Sequence, residues 1–135
     1  MHRFLATFLA SAAVLTALAA STAFAAGGGP VAVQLKEFKV VPAPKSVTAG
    51  KVVFTVKNVG KIEHELVVVK TNKAPGSLAG SGSKASETGT VGEVGGLKAG
   101  KTAKLTLTLK AGKYVLLCNL PGHYKAGQYT AFVVK

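Results

Sequence analysis

The chain has 135 residues and a formal net charge of +12, with seventeen lysines and arginines against five acidic residues, one cysteine, one methionine and no tryptophan. That length supports one hydrophobic core, and a lone thiol excludes an internal disulfide framework. The basic balance predicts salt-sensitive attraction to anionic surfaces or acidic partner proteins, and no nucleic acid, because the lysines are scattered among strand-like segments instead of clustering beside aromatics.

Met1-His2-Arg3 leads into an apolar, alanine-rich stretch from Phe4 to Ala20, followed by Ala23-Phe24-Ala25. Positive start, apolar run and small-x-small end predict a secretory signal over 1–25, removed on export, with the mature chain starting near Ala26. The alternative, an uncleaved anchor, would need about 20 unbroken apolar residues without a cleavage pattern after them. An address in the periplasm or otherwise outside the cytoplasm follows. Without the signal, the chain keeps His64, His123 and Cys118, has no methionine or arginine, and carries sixteen lysines against five glutamates.

Residues 26–30, with Gly27-Gly28-Gly29, read as a flexible leader, and 31–135 as a single domain. Val31 to Val41 is rich in β-branched residues and is ended by Pro42 and Pro44, which cannot serve in a central ladder. Val47 to Val56 follows, with a turn at Ala49-Gly50 and with Val52, Phe54 and Val56 alternating onto one face. A second turn at Asn58-Val59-Gly60 precedes a strand from His64 to Lys70. Residues 71–100 are dense in Gly, Ser, Ala and Pro, and Thr71 to Thr90 reads as a long, mobile surface excursion with little to bury, with room for a short helix or an extra ribbon.

The clearest period-two alternation is Leu105-Thr106-Leu107-Thr108-Leu109. A tight turn at Ala111-Gly112-Lys113 leads into Tyr114 to Cys118, and a last strand runs from Tyr129 to Val134. If Cys118 points inward, so do Tyr114 and Leu116; if Gln128 does, so do Thr130, Phe132 and Val134. About seven short strands, regular turns and no amphipathic helix predict an all-β, antiparallel Greek-key β-sandwich with no internal repeat.

The chemistry concentrates between the last two strands. Cys118 and His123 lie five residues apart on one loop, and Gln128 lies five further on. Thiolate and imidazole suit a soft or borderline transition metal, whereas carboxylate clusters suit Mg²⁺ or Ca²⁺. His64 is more than fifty residues earlier, and only the fold can bring it to the other two. Two histidines and a cysteine around one ion describe a trigonal site, the way blue copper centres are built. Zinc uses the same ligand types, but its structural sites take four strong ligands and Gln128 is a poor fourth.

Asn58 to Val68, with His64 at its centre, and Tyr114 to Gly127, with Cys118 and His123, resemble the cupredoxins, specifically small bacterial plastocyanin-like and sulfocyanin-like proteins. The resemblance covers most of 31–135. It implies an eight-stranded Greek-key sandwich with one type 1 copper ion, Cu(I)/Cu(II), at one end, His64, Cys118 and His123 as equatorial ligands, and electron transfer instead of catalysis. Where the family usually has an axial methionine, this chain has Gln128, which implies a glutamine-axial site with an oxygen donor and a lowered reduction potential. Many relatives carry asparagine after the first histidine; Glu65 stands there instead, which puts the usual loop-to-loop hydrogen bond in question.

The sequence therefore predicts an exported, monomeric, mononuclear blue copper protein that shuttles one electron between larger redox proteins, its partners acidic. Asn119, and after it Asn58, are candidates for orienting the ligands. The electron is expected to pass at the edge of His123, flanked by Leu120, Pro121 and Tyr124. The rivals are a copper chaperone or scavenger, a red-copper-like catalytic site with Glu63 or Glu65 in place of Gln128, and a metal-free adhesive domain.

Overall fold

The structure, a computed structural model, describes residues 27–135. The signal expected at 1–25 lies outside the described residues. Nine strands form two facing sheets: β1 (Gly28–Lys36), β2 (Lys39–Ala43), β3 (Ser46–Val47), β4 (Gly50–Asn58), β5 (His64–Lys70), β6 (Thr90–Leu97), β7 (Thr102–Leu109), β8 (Gly112–Leu117) and β9 (Tyr129–Val134). A single 3₁₀ turn at Pro75–Ser77 is the one helical element among the described residues.

The four-stranded sheet has the order β2-β1-β4-β7 and the five-stranded sheet β3-β9-β8-β5-β6. The chain repeatedly crosses between them, as a β-sandwich requires. Most pairings are antiparallel, as expected, but β1 pairs parallel with β4 and β3 parallel with β9. β3 lies at the edge of its sheet, whereas β1 is held between β2 and β4.

Alternation explains the interior. Val31, Val33 and Leu35 of β1 and Val52, Phe54 and Val56 of β4 face Leu66, Val68, Leu116 and Phe132 across the sandwich. The Phe54 and Phe132 rings lie 5.6 Å apart in a tilted pair, and burying an aromatic of this size stabilises the fold by roughly 1.5–3 kcal/mol. Tyr114, Leu116 and Cys118 are buried as the period-two reading requires, and so are Gln128, Phe132 and Val134, with Thr130 only half-buried.

Three sequence readings change. The run Val31 to Val41 is not one strand: it folds back at Glu37-Phe38, so that Leu35 faces Val40 and Lys36 faces Lys39. Pro42 sits inside β2, where the edge position leaves no ladder bond for its missing N–H to supply. Gly28 and Gly29, read as leader, pair with Lys51 and Val52 as the start of β1; Gly28, at φ +88°, adopts a backbone that other residues rarely take.

The third change concerns 71–100, where the short helix and the extra ribbon allowed for are both present, but the segment has more to bury than its composition suggests. Thr90–Leu97 forms β6 along the edge of β5, and the segment before it is fastened to the outer face of the five-stranded sheet. Leu78 and Ala85 pack there with Val67, Val69, Val115 and Leu117 in a second apolar cluster. The signal was present in Leu66-Val67-Val68-Val69 and Val115-Leu116-Leu117: unbroken apolar runs, unlike alternating ones, belong to strands covered on both faces.

Candidate metal centre

β5 begins at His64, immediately after the turn held by Asn58. The fully buried Asn58 amide donates to the carbonyls of Ile62 at 2.7 Å and Leu97 at 2.8 Å, and its oxygen accepts from Gly60 N at 2.9 Å. This clasp sets where the strand starts. The ladder with β6 shifts register between His64 and Leu66, at the same spot.

The second part comes from the loop after β8. Cys118 N donates to Gln128 O at 3.0 Å, closing the base of the loop, and Gln128 N donates to His123 O at 3.2 Å. His123 N bonds to Leu120 O, Ala126 N to Gly122 O and Gly127 N to Tyr124 O. Gly122 at φ +83° and Gly127 at φ +101° permit these reversals. The backbone is thus tied at every turn, so the side chains inherit its rigidity.

The two parts converge. His64 Nδ1 and His123 Nδ1 are 3.3 Å apart, Cys118 Sγ lies 3.3 Å from His123 Nδ1 and 4.0 Å from His64 Nδ1. Ligand bonds of about 2.0–2.3 Å spread at 120° around one ion put neighbouring donor atoms roughly 3.5–3.8 Å from one another, so this triangle has the dimensions of a trigonal metal site. His64 and Cys118 are fully buried and His123 is partly exposed; no carboxylate joins the group among the described residues. Gln128 closes the fourth side: its Nε2 lies 3.1 Å from His64 Nδ1 and only 3.5 Å from Lys39 O, while Oε1 is buried with no hydrogen-bond partner. An orphaned amide oxygen costs about 1–3 kcal/mol, and a cation is a natural acceptor of its lone pairs.

The electrostatics favour the ligating form of His123 and, without a cation, the protonated form of Cys118. Burial lowers the His123 pKa, and the neighbouring His64 adds to that, while hydrogen bonding to Gln128 and the Glu37 charge oppose it; the neutral imidazole is the form that binds metals. Burial pushes the Cys118 thiol up, opposed by the amides of Glu65 and Leu120 and reinforced by the Glu65 charge. Glu65 N donates to Cys118 Sγ at 3.4 Å. A bound cation would reverse the thiol's preference and hold it as thiolate.

Glu65 also resolves the question raised by the missing asparagine. Its Oε1 accepts Asn119 N at 3.0 Å, so a carboxylate ties the β5 strand to the loop after β8; burial raises its pKa, against the pull of that amide and of Lys84. Asn119, expected to orient the ligands, is buried with its amide bonded to the 71–89 segment. Its Oδ1 accepts Ala85 N at 2.7 Å and its Nδ2 donates to Ala85 O at 3.1 Å and Glu87 Oε1 at 2.7 Å, fastening the 71–89 segment to the loop. Tyr124, expected at the rim of His123, is buried: its OH donates to Pro75 O at 2.6 Å and accepts Leu78 N at 3.0 Å. The ring edge beside His123 is Phe38, 5.1 Å away and 37% exposed.

Sequence reasoning missed Glu37. On the β1–β2 turn, its Oε1 lies 3.2 Å from His64 Nε2 and accepts Lys61 N at 2.8 Å and Ile62 N at 2.9 Å. Its pKa is lowered to about 2, first by the Ile62 amide, then by its own and the Lys61 amide, with His64 adding less. No local pattern links a glutamate to a histidine 27 residues later; only the strand that reverses at Glu37 brings them together.

A β-sandwich with a buried His-Cys-His triangle at one end defines a metal-binding module. The chain matches the Cupredoxin-like domain over residues 7–131 and belongs to that family. Among solved structures it is similar to reduced auracyanin from the photosynthetic bacterium Roseiflexus castenholzii, at 24% identity and a TM-score of 0.57, over 80% of this chain and 96% of that one. It is similar to reduced rusticyanin at 22% identity and a TM-score of 0.64, over 82% of each chain. Rusticyanin from Thiobacillus ferrooxidans shows 19% identity and a TM-score of 0.62, over 80% of this chain and 79% of that one. No curated protein matches the chain.

Proposed function

We propose that the chain is an exported mononuclear copper protein that carries one electron between redox partners and catalyses no reaction of its own. His64, Cys118 and His123 would hold the ion, with the Gln128 amide oxygen as a fourth donor. The observation that carries this reading is the triangle of two imidazole nitrogens and one sulfur, two of its three residues fully buried, with the buried Gln128 amide against it. That donor set suits copper better than Mg²⁺ or Ca²⁺, and better than structural zinc, which wants a fourth strong ligand. A solved structure similar to this chain is described as that of the copper protein rusticyanin.

Copper supplies one-electron redox chemistry at such a site. The protein's part is to keep the same shell for both oxidation states, which the fastened loop and the β5 clasp favour. Turning the Gln128 amide over exchanges Nε2 for Oε1 and brings oxygen to the cluster side. His123, the partly exposed ligand, marks the side on which a partner approaches, bordered by Phe38, Leu120 and Pro121. Small, brief interfaces between a basic carrier and acidic partners fit this setting. Export rests on the signal pattern at 1–25, and no helix among the described residues is long and apolar enough to cross a membrane.

The chaperone reading fares worse because two of the three ligands are fully buried, which hinders release. The red-copper reading needs a carboxylate at the metal, and Glu65 is bonded to Asn119 N instead. Reconstitution with Cu(II) tests the proposal: an intense visible thiolate-to-copper band, absent in Cys118→Ser, is expected. A pale protein with only weak Cu(II) spectra refutes it.

A further inference from the structure

Glu37 lies outside the expected ligand set, yet it is bonded to the most deeply placed histidine. Its Oε1 accepts two backbone amides, Lys61 N and Ile62 N, and faces His64 Nε2 at 3.2 Å. Those amides come from the turn leading into β5, so the carboxylate is held in place whether or not the imidazole is there to bond it. An ionised carboxylate only accepts, so the proton of a neutral His64 ring resides on Nε2. Nδ1 is then the bare nitrogen, and Nδ1 is the atom that meets Cys118 Sγ, His123 Nδ1 and the Gln128 amide.

We propose that Glu37 is a positioning residue for the metal centre: its carboxylate selects the Nε2–H tautomer of His64, presents Nδ1 to the ion and makes that nitrogen more basic. A carboxylate hydrogen-bonded to a ligating imidazole strengthens it as a donor, and its negative charge favours the higher oxidation state. The site therefore binds dications more tightly, and bound copper has a lower reduction potential, than without Glu37. The part concerning the potential rests on the copper reading above; the tautomer and the dication affinity do not.

A merely structural Glu37 would pin the 59–62 turn without touching the metal, and two substitutions separate the cases. Glu37→Gln keeps an oxygen for Lys61 N, Ile62 N and His64 Nε2 but removes the charge, and Glu37→Ala removes both. Glu63→Gln is the charge control, one residue from His64. Long-range ¹H–¹⁵N spectra of the metal-free protein read the tautomer, competition titrations read Zn²⁺ and Cu²⁺ affinity, and potentiometry of the copper protein reads the midpoint.

The expected results are Nε2–H for His64 in the wild type and in Glu37→Gln, and a mixture in Glu37→Ala with a 10- to 100-fold loss of Zn²⁺ affinity, on the order seen for such partners. Glu37→Gln raises the copper midpoint above that of Glu63→Gln, each tenfold loss of Cu(II) relative to Cu(I) affinity amounting to about 59 mV. A wild-type His64 protonated on Nδ1, or Zn²⁺ affinity unchanged in Glu37→Ala, overturns the proposal. So does a Glu37→Gln midpoint no higher than that of Glu63→Gln. If the wild type gives no charge-transfer band while zinc affinity and tautomer still respond to Glu37, the positioning role stands and the copper reading fails.

Discussion

Two connections of the five-stranded sheet differ in what their sequences advertise. The loop from Cys118 to Gln128 carries a thiol, an imidazole and an amide; the segment 71–89 carries mostly Gly, Ser, Ala and Lys. Yet the structure makes them one assembly. Asn119 and Tyr124 of the loop are bonded to Ala85, Glu87, Pro75 and Leu78 of the segment, and Leu78 and Ala85 cover the back of β5 and β8. The ligand loop thus has metal chemistry on one side and a covering brace on the other. A chemically plain segment can be indispensable to a chemically rich one through backbone hydrogen bonds and a few buried methyl groups.

Cutting either side tests this division. Cys118→Ser has the largest expected effect on function and a small one on folding: the visible charge-transfer band vanishes completely, while the circular dichroism of the β-sandwich persists. Loss of the fold would show that the thiol is structural.

Leu78→Ala has the opposite profile. Removing a side chain buried to 4% exposure in the second cluster costs about 2–5 kcal/mol of stability, read as a lower denaturant midpoint at constant slope, and the ligand set is left complete. A neutral result in urea titration would return the segment to the mobile surface loop its composition suggests.

Asn119→Ala sits on the seam between the two regions. It leaves Ala85 N and O without their partner, at a cost of about 1–3 kcal/mol, and amide exchange should rise at Ala85 before it rises at His64. Equal exchange at both would mean that the seam does not separate them.

Gln128→Met is the finest probe, because it changes one donor atom type and leaves the three residues of the triangle in place. Thioether sulfur is softer than amide oxygen and favours Cu(I), so the midpoint potential of the copper protein rises. An unchanged or lowered potential would remove Gln128 from the ligand shell.

Much of the site and the sandwich was legible because both rest on local patterns. Alternation at Val52, Phe54 and Val56 reports a face, and the five-residue spacing of Cys118, His123 and Gln128 confines three donors to one loop. Unbroken apolar runs in β5 and β8 also reported a double covering, but composition at 71–89 outweighed them. The reversal at Glu37-Phe38 was hidden inside a run rich in β-branched residues that lacks the usual turn residues, since a glutamate and a phenylalanine announce no hairpin.

The residues by themselves determined the β-sandwich, the donor types and the absence of an axial methionine in the chain after Met1, because each depends on side-chain chemistry or short-range periodicity. Only the tertiary structure decided that His64 reaches Cys118 and His123, that Asn119 braces the 71–89 segment, that Glu65 supplies the loop-to-loop bond, and that Glu37 faces His64 Nε2. Those are meetings of residues 27 to 59 positions apart. Strand pairing and register create them, and register is a property of the whole sheet.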